Sequence, residues 1–242
     1  MLRSIVLPAF NEAGYIAEMV RRTIEAGATC PDEFEIIVIN NASTDRTADI
    51  VEGISARDPR VKLISHPENR RYAASCLTGT RAATGERIFI IDSDGQQPPA
   101  DLWKFDARLA QGCDIVFGWR THREESLQRL AMSRVLWSLA RLYLGFRLHD
   151  VNCGIRGFNR AYAERLVIKH RVNLVNPELY VRARQGDFRI CEVAVVQEKR
   201  KAGVSSHELG RLMQIFGEVT DYLGKLRGEL TPAQRRRPPE AA

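Results

Sequence analysis

Residues 88–99 have the sequence IFIIDSDGQQPP, in which four apolar residues run directly into two aspartates, Asp92 and Asp94. The apolar run predicts a buried strand, and Gln96 follows at the next alternate position. A strand that ends in Asp-x-Asp places two carboxylates at its carboxyl end, the edge where open α/β sheets bind their ligands. Two carboxylates are only a few hard oxygen ligands. They suit Mg²⁺ or Mn²⁺, because these ions complete their coordination shell with substrate phosphates. By itself the pattern also fits a polar turn before a helix that begins at the following prolines.

Short predicted strands alternate with helical stretches through the first half of the chain. The strands are predicted at 4–7, 35–39, 61–65, 87–91 and 114–118, and the helices at 12–27, 45–57, 72–84 and 99–111. This alternation predicts an α/β fold with a mostly parallel sheet and right-handed crossovers. Several strands are apolar without a break, as expected when helices cover both faces of the sheet.

The second half of the chain departs from this alternation. Residues 127–148 mix apolar and aromatic residues with four arginines, which predicts a helix or helix pair at a lipid surface or over a cleft. A last strand is predicted at 188–195, and after a basic loop an amphipathic helix at 206–227. Residues 231–242 contain three consecutive arginines and two prolines, which predicts a disordered tail after a single domain at 1–230.

The composition is that of an ordinary soluble protein, with 242 residues, 44% of them hydrophobic and 27% charged. No uninterrupted apolar run reaches about 18 residues, so no membrane-spanning helix is expected. The predicted first strand begins so close to Met1 that no signal peptide is expected. The five cysteines are scattered and form no C-x-x-C pair. This argues against a disulfide framework and against a zinc site, and it fits a reducing cytoplasm.

The net charge of +6 is concentrated in one region, because residues 120–160 contain eight arginines and three acidic residues. Such a cluster indicates an anionic partner: a phosphate, an anionic lipid or a nucleic acid. We expect no nucleic acid, since an Asp-x-Asp motif at a sheet edge repels phosphate unless a metal is bound. A dinucleotide-dependent oxidoreductase is also disfavoured, because residues 7–12 after the first strand contain no glycine.

Four further segments accompany the Asp-x-Asp motif. They are LPAFNE at 7–12, INNASTDRT at 39–47, DVNCGIR at 150–156 and RKAGVS at 200–205. Together with the Asp-x-Asp motif they resemble the GT-A glycosyltransferases of family 2, and within that family the polyprenyl-phosphate (dolichol-phosphate) hexose synthases. The resemblance extends from about Ile5 to His207, and five motifs in the same order make it specific.

The resemblance implies a set of nucleotide-binding positions. They are Pro8, Phe10, Glu12, Asn41, Asp92, Arg200 and Ser205. The ring of Phe10 and the carboxylate of Glu12 would hold the base and the ribose, and Arg200 and Ser205 belong to an R-x-x-G-x-S loop that grips the diphosphate. This chain departs from the family at Asn40 and Asn41, where an acidic pair is usual, so Asn41 would contact the base without a charge.

The resemblance also implies a metal site formed by Asp92, Asp94 and Gln96, with Asp94 counted among the catalytic residues. A Mg²⁺ or Mn²⁺ ion there would neutralise the diphosphate as the sugar leaves. A second departure lies nearby, because Arg71 stands where the family usually has a glycine after Asn69 and Arg70. The loop is therefore expected either to differ in shape or to add a phosphate contact.

Four further catalytic positions are implied on the acceptor side. Arg120 and the pair Arg129 and Ser133 match positions that bind a lipid phosphate, and residues four apart share one face of a helix. The same arginines also fit a solvated or membrane-facing surface. Asp150 matches a position near the reacting sugar, where it would hold sugar hydroxyls or make a base-like contact.

The function implied by the resemblance is an inverting transfer of a hexose from a nucleotide-diphosphate sugar to a polyprenyl phosphate. The alternative is the same scaffold acting on a glycolipid or a soluble sugar. No Ser-His-Asp pattern is present, and an acceptor phosphate is already anionic and needs no strong general base. We expect a cytoplasmic enzyme at the inner face of the membrane, docked through 127–148 and 206–227 or through a membrane-embedded partner subunit.

Overall fold

The computed structural model of the chain contains one seven-stranded sheet flanked by helices. The residues it describes are 1–29, 32–121, 127–150, 152–169, 175–198, 212–232 and 234, with the backbone alone described at 127–132 and 212–216. The strands are β1 (Arg3–Ala9), β2 (Phe34–Asn40), β3 (Val61–Ser65), β4 (Arg87–Ile90), β5 (Ile115–Arg120), β6 (Arg156–Asn159) and β7 (Ile190–Val195). The helices are α1 (Ile16–Ala28), α2 (Thr47–Ser55), α3 (Arg71–Ala82), α4 (Leu102–Ala110), α5 (Leu127–Leu144), α6 (Arg160–Glu164), α7 (Asn176–Gln185) and α8 (Leu212–Gly228).

The strand order is β3-β2-β1-β4-β6-β5-β7. β6 is antiparallel to both of its neighbours and the other pairs are parallel, which confirms the predicted mostly parallel α/β sheet. The order reverses direction between β1 and β4, since β2 and β3 lie on one side of β1 and β4 lies on the other. At such a switch point the loops after the two strands diverge and leave a crevice at the carboxyl ends.

Both faces of the sheet are covered, as the unbroken apolar strands predict. All seven residues of β1 and of β2 are buried. One hydrophobic core contains Ile5 and Leu7, and the other contains the alternate residue Val6. The amphipathic helix α1 buries Ile16, Met19 and Val20 on the first of these cores. The loops at the strand ends are thus held by a rigid, fully packed support.

The C-terminal amphipathic helix is part of this packing. In α8 the side chains of Val219, Leu223 and Leu226 are buried, and the helix packs against α5 and α7. Its apolar stripe in this part is therefore used for the core, whereas 206–211 and the side chains of 212–216 lie outside the described residues. None of the helices in the described ranges has the length and apolar character that a membrane crossing requires.

The cysteines differ from the expectation. Cys113 and Cys191 form a disulfide, with a Cα–Cα distance of 6.0 Å. Their separation of 78 positions in the sequence concealed this pairing, whereas the parallel pairing of β5 with β7 places Cys191 beside Val116. Cys76 and Cys153 are buried and are not disulfide-bonded. The cysteines thus no longer support a reducing compartment.

The predicted tail begins with a short contact to the domain. The side chain of Gln234 donates to the backbone carbonyl of Arg184 and accepts from the amide of Thr231. Beyond residue 234 the predicted tail lies outside the described residues.

Candidate active site

The loops that follow β1 and β2 are bonded directly to each other. Asn11 Oδ1 accepts from the backbone amide of Thr44 at 2.8 Å, and the backbone amide of Asn11 donates to Ser43 Oγ at 3.0 Å. Asp45 accepts from the amides of Ala13 and Thr47. Burial acts to raise the pKa of Asp45, but the bonds from Thr47 and Ala13 outweigh it and lower that pKa. Phe10, 44% exposed, projects from this fixed pair of loops, while Pro8 is buried and Glu12 is nearly so.

Three residues other than glycine adopt the left-handed backbone conformation around this edge of the sheet. They are Asn11 (φ 56°), Ala42 (φ 58°) and Arg71 (φ 68°). A side chain in this conformation costs about 1 kcal/mol relative to glycine. Position 71, where the family usually has a glycine and this chain has Arg71, thus requires a positive φ. Arg71 keeps that conformation, and its side chain is exposed.

The Asn41 side chain is buried and holds the 66–70 loop. Its carbonyl accepts from His66 Nδ1 at 3.0 Å and from the amide of Arg70 at 2.9 Å, and its amide donates to Asn69 Oδ1 at 3.0 Å. Because His66 Nδ1 must donate here, its Nε2 accepts from the Thr78 hydroxyl at 3.0 Å. The amide of Asn41 therefore shapes the loop as well as being a predicted contact for the base.

Acid should loosen this loop through His66. Burial, together with the charge of Arg70, lowers the pKa of His66 below its ordinary value. The unfolded chain then binds a proton more readily than the folded one, so stability falls as pH drops through about 6.5. We expect the wild-type unfolding temperature to fall more than that of His66→Gln between about pH 7.5 and 5.5. Equal slopes for the two proteins in a thermal-melt series would contradict this assignment.

The Asp-x-Asp segment places its side chains alternately, as a strand would. Asp92, Asp94 and Gln96 are half-buried, whereas Ser93 and Gly95 between them are buried. The Ser93 hydroxyl donates to the carbonyl of Pro8 at 2.8 Å, which fixes the segment against the end of β1. Asp94 accepts from the amide of Gln96 at 3.0 Å. The three predicted metal-site residues are thus the less buried ones of the segment that follows β4.

The Asp92 carboxylate is confined on two sides. Its Oδ1 accepts from the Tyr72 hydroxyl at 2.5 Å. Its Oδ2 lies against the backbone of Gly154, where an added Cβ would come within 1.8 Å of that oxygen. Tyr72 in turn accepts from the guanidinium of Arg156, which is 2% exposed. Neither Tyr72 nor Arg156 was among the site residues predicted from the sequence. A charged residue inside the buried segment from Ile155 to Phe158 was the signal that could have revealed the arginine.

The donor set fits a divalent cation completed by substrate. Among the described residues, no group of three His, Cys, Asp or Glu side chains is arranged to hold a metal. Asp92 and Asp94 are therefore two carboxylates that need further oxygen ligands. This is the usual situation for Mg²⁺, which is held by one or two carboxylates together with phosphate oxygens and water.

Asp150 and Arg120 form a buried ion pair at the carboxyl end of β5. Arg120 Nε donates to Asp150 Oδ2 at 2.7 Å and Nη2 donates to Oδ1 at 3.1 Å, while Asp150 is 1% exposed. The amide of Asn152 also donates to Asp150, at 3.0 Å. Both residues were predicted from the sequence as site residues, but their pairing was not. Removing either partner would leave an uncompensated buried charge, which costs about 3–5 kcal/mol.

The remaining predicted residues are described in part. Ser133 is half-buried on α5, and the side chain of Arg129, one turn earlier, lies outside the described residues. Arg200 and Ser205 also lie outside them. Glu198 is the last described residue before Arg200. Its backbone amide donates to the backbone carbonyl of Gln96 at 2.7 Å, which ties it to the predicted metal site. Its carboxylate pairs with Arg22 at 2.9 Å.

Comparisons with known proteins point in one direction. The sequence model of glycosyl transferase family 2 matches residues 4–167. The undecaprenyl-phosphate 4-deoxy-4-formamido-L-arabinose transferase of Pseudomonas aeruginosa is 29% identical over 220 residues, which cover 90% of this chain and 64% of the relative. The enzyme of the same name from Yersinia enterocolitica is 27% identical over 91% of this chain and 67% of its own length. The chain thus spans about two thirds of the length of these relatives.

Solved structures of low sequence identity share the fold. Glucosyl-3-phosphoglycerate synthase from Mycobacterium tuberculosis, in complex with Mn²⁺, UDP and glucosyl-3-phosphoglycerate, has a TM-score of 0.70 at 21% identity, covering 96% of this chain and 81% of that one. The mannosyltransferase PcManGT from Pyrobaculum calidifontis, in complex with GDP-Man and Mn²⁺, has a TM-score of 0.62 at 19% identity. The matched part is 93% of this chain and 72% of the PcManGT chain.

Proposed function

We propose, from the premise that this chain belongs to glycosyl transferase family 2, that it transfers a hexose from a nucleotide-diphosphate sugar to a polyprenyl phosphate with inversion at the anomeric carbon. One observation carries the proposal. The half-buried carboxylates of Asp92 and Asp94 and the predicted nucleotide-binding loops after β1 and β2 meet at the switch point of the sheet. That crevice is where open α/β sheets hold nucleotides.

The donor would lie with its nucleotide over β1 and β2 and its diphosphate toward β4. Phe10 is exposed enough to pack against a base, and the bonded loops of Asn11 and Asp45 give that ring a fixed position. Asp92 and Asp94 would hold a divalent cation on the diphosphate, which acts as a Lewis acid on the leaving group. The Mn²⁺ found in the structures of both fold neighbours supports this choice of metal.

The acceptor would supply its own nucleophile. A phosphate oxygen attacks the anomeric carbon, the bond to the diphosphate breaks, and the nucleotide diphosphate leaves carrying the electron pair. Because the attacking oxygen is already anionic, the protein has to position the two phosphates and offset their charge. Arg120, held by Asp150, and Ser133 are the described residues assigned to the acceptor side. Asp150 would then hold the guanidinium of Arg120 in place and also lie near the reacting sugar.

The choice of acceptor rests on the relatives. The curated relatives that match about nine tenths of this chain are named for undecaprenyl-phosphate as their acceptor. Within the arginine-rich region at 120–160, the side chains of Arg134, Arg141 and Arg147 are exposed and are suited to a phosphate-bearing partner. A glycolipid or a soluble sugar as acceptor is the outcome to be distinguished from this one.

A donor screen followed by a transfer assay tests the proposal. UDP-, GDP- and CDP-sugars are first compared for thermal stabilisation with Mg²⁺ or Mn²⁺, since a ligand that binds the folded state raises its melting temperature. The stabilising radiolabelled donor is then incubated with undecaprenyl phosphate or with simple sugars. Label that enters the organic phase only with the lipid phosphate is expected. Label transferred equally well to an uncharged glycolipid or a soluble sugar would overturn the proposed acceptor.

Arg129 provides a prediction specific to the acceptor. We expect Arg129→Ala to raise the KM for undecaprenyl phosphate by about tenfold, since a charge-assisted bond to a phosphate contributes about 1.5–3 kcal/mol. Hydrolysis of the donor should change little, because the donor lies at other loops. A normal acceptor KM in a steady-state assay would remove Arg129 from the acceptor site.

The outer face of α5 is the part of the described surface best suited to a membrane. Val135 is 43% and Leu142 is 71% exposed, and Arg134 and Arg141 beside them are exposed as well. We expect the protein to float with liposomes that contain anionic lipid and to be released by high salt. Leu142→Glu should weaken flotation severalfold, whereas Val167→Glu, at an exposed valine outside α5, should not. Equal flotation of both variants would place membrane contact elsewhere.

A further inference from the structure

We infer that Tyr72 and Arg156 are positioning residues for the metal-binding carboxylate of Asp92, an inference that rests on the proposed function. Three side chains from distant parts of the chain form one series of hydrogen bonds. Arg156 Nη2 donates to the Tyr72 oxygen at 2.6 Å, and the Tyr72 hydroxyl donates to Asp92 Oδ1 at 2.5 Å. The series ends at the first residue of the Asp-x-Asp motif.

The direction of each bond is fixed by chemistry. A guanidinium can only donate, so the Tyr72 oxygen must accept from Arg156. The single hydroxyl proton of Tyr72 is then left for Asp92. The carboxylate therefore always receives a bond from the same side.

Arg156 is itself held firmly by two other elements. Its Nη1 donates to Asn176 Oδ1 at 2.9 Å at the start of α7, and Nη2 also contacts the carbonyl of Gly154 at 3.2 Å. Asn176 donates in turn to the carbonyl of Cys153 at 3.0 Å. β6, α7 and the loop between α5 and β6 are thus joined at one guanidinium. A buried group with so many bonds cannot shift to follow a mobile carboxylate.

The neutral phenol between the two charges has a specific consequence. Among the described residues, no carboxylate is bonded directly to Arg156. Tyr72 lies between Arg156 and Asp92, so the arginine supports the carboxylate without forming the close ion pair that would compete with a cation. Tyr72 holds Oδ1 and the backbone of Gly154 limits Oδ2, which leaves one orientation of the carboxylate. Groups that orient a metal ligand in this way change metal affinity by about 10–100-fold when removed.

The test is the Mn²⁺ affinity of Tyr72→Phe. Free Mn²⁺ is measured by electron paramagnetic resonance during titration of the purified protein, alone and with UDP or GDP. We expect Tyr72→Phe to raise the Mn²⁺ dissociation constant about tenfold. The matched control is Tyr162→Phe, which also removes the hydroxyl of a buried tyrosine, one that donates to the carbonyl of Leu179 at 2.8 Å. Tyr162→Phe should bind Mn²⁺ like the wild type, and a thermal melt should show similar stability for both variants.

Asp94→Asn separates failure of this inference from failure of the proposed site. If the wild type binds no Mn²⁺, or if Asp94→Asn binds it unchanged, the metal site itself is wrong. If Asp94→Asn loses Mn²⁺ while Tyr72→Phe binds it as the wild type does, the metal site stands and the positioning role is overturned. Equal weakening in Tyr72→Phe and Tyr162→Phe also overturns it, because the effect would then follow general stability.

Discussion

Asp94→Ala should lower the rate of hexose transfer by about 10³-fold, because the Lewis acid held there is expected to supply several kcal/mol of charge stabilisation. The fold should survive the change. Asp94 is half-buried, and its carboxylate accepts from the amide of Gln96 within the same loop. Loss of one such bond costs about 1 kcal/mol. The measurement is initial transfer rate against Mn²⁺ concentration, with a thermal melt of the same preparation.

Gln96→Ala is the matched control for this experiment. It removes a neutral side chain from the next alternate position of the same segment, and a neutral amide contributes less to a dication than a carboxylate does. We expect a loss of less than about tenfold. Asp92→Ala is a poorer test, since it also leaves the Tyr72 hydroxyl without its acceptor. Near-normal turnover of Asp94→Ala with unchanged metal dependence would show that the metal site is wrongly assigned.

Much of the fold was predictable because its strands are buried on both faces. The unbroken apolar runs of β1, β2 and β4 identify these strands in the sequence. Their alternation with helices predicts that they pair in parallel. β6 was missed, because Arg156 and Gly157 interrupt a strand of only four residues that is defined by its partners β4 and β5. Its conformation depends on tertiary pairing, which no local pattern records.

The helix α7 was missed for a different reason. Its sequence is rich in charged residues, yet Glu178 is 1% and Arg182 is 9% exposed. Glu178 and Arg182 lie one turn apart and form an ion pair at 2.7 Å, which permits their burial. A hydrophobic pattern therefore understates how deeply this helix is buried.

In the candidate site, too, the motifs predicted individual residues but not the residues that they contact. The motifs identified Asp92, Asp150 and Arg120, because each stands at a strand end or in a segment typical of the family. Their contacts join distant positions: Asp150 lies 30 residues from Arg120, and Tyr72 lies 84 residues from Arg156. Such pairings follow from the strand order, since β6 returns between β4 and β5 and brings its arginine beside the end of β4.

Gly154→Ala should disable the site through a single methyl group. The backbone of Gly154 lies outside the left-handed region, so alanine can adopt it without strain. The added Cβ would nevertheless lie 1.8 Å from Asp92 Oδ2 and 2.4 Å from its Cγ. Either the carboxylate or the loop must move, and Tyr72 opposes movement of the carboxylate. A displacement of about 1 Å at a reacting centre can lower the rate about 10²-fold.

The effect of Gly154→Ala should appear in Mn²⁺ affinity and transfer rate together, since both depend on the position of the same carboxylate. Gly53→Ala is the control, because a Cβ at that helical position meets only the end of the Arg57 side chain at 3.6 Å. In α2 the exchange of glycine for alanine should stabilise the fold by up to about 1 kcal/mol and leave transfer unchanged. A Gly154→Ala protein that melts near the wild-type temperature but has lost Mn²⁺ binding would match the geometry. One that transfers hexose at the normal rate would show that Asp92 does not act from the position it occupies here.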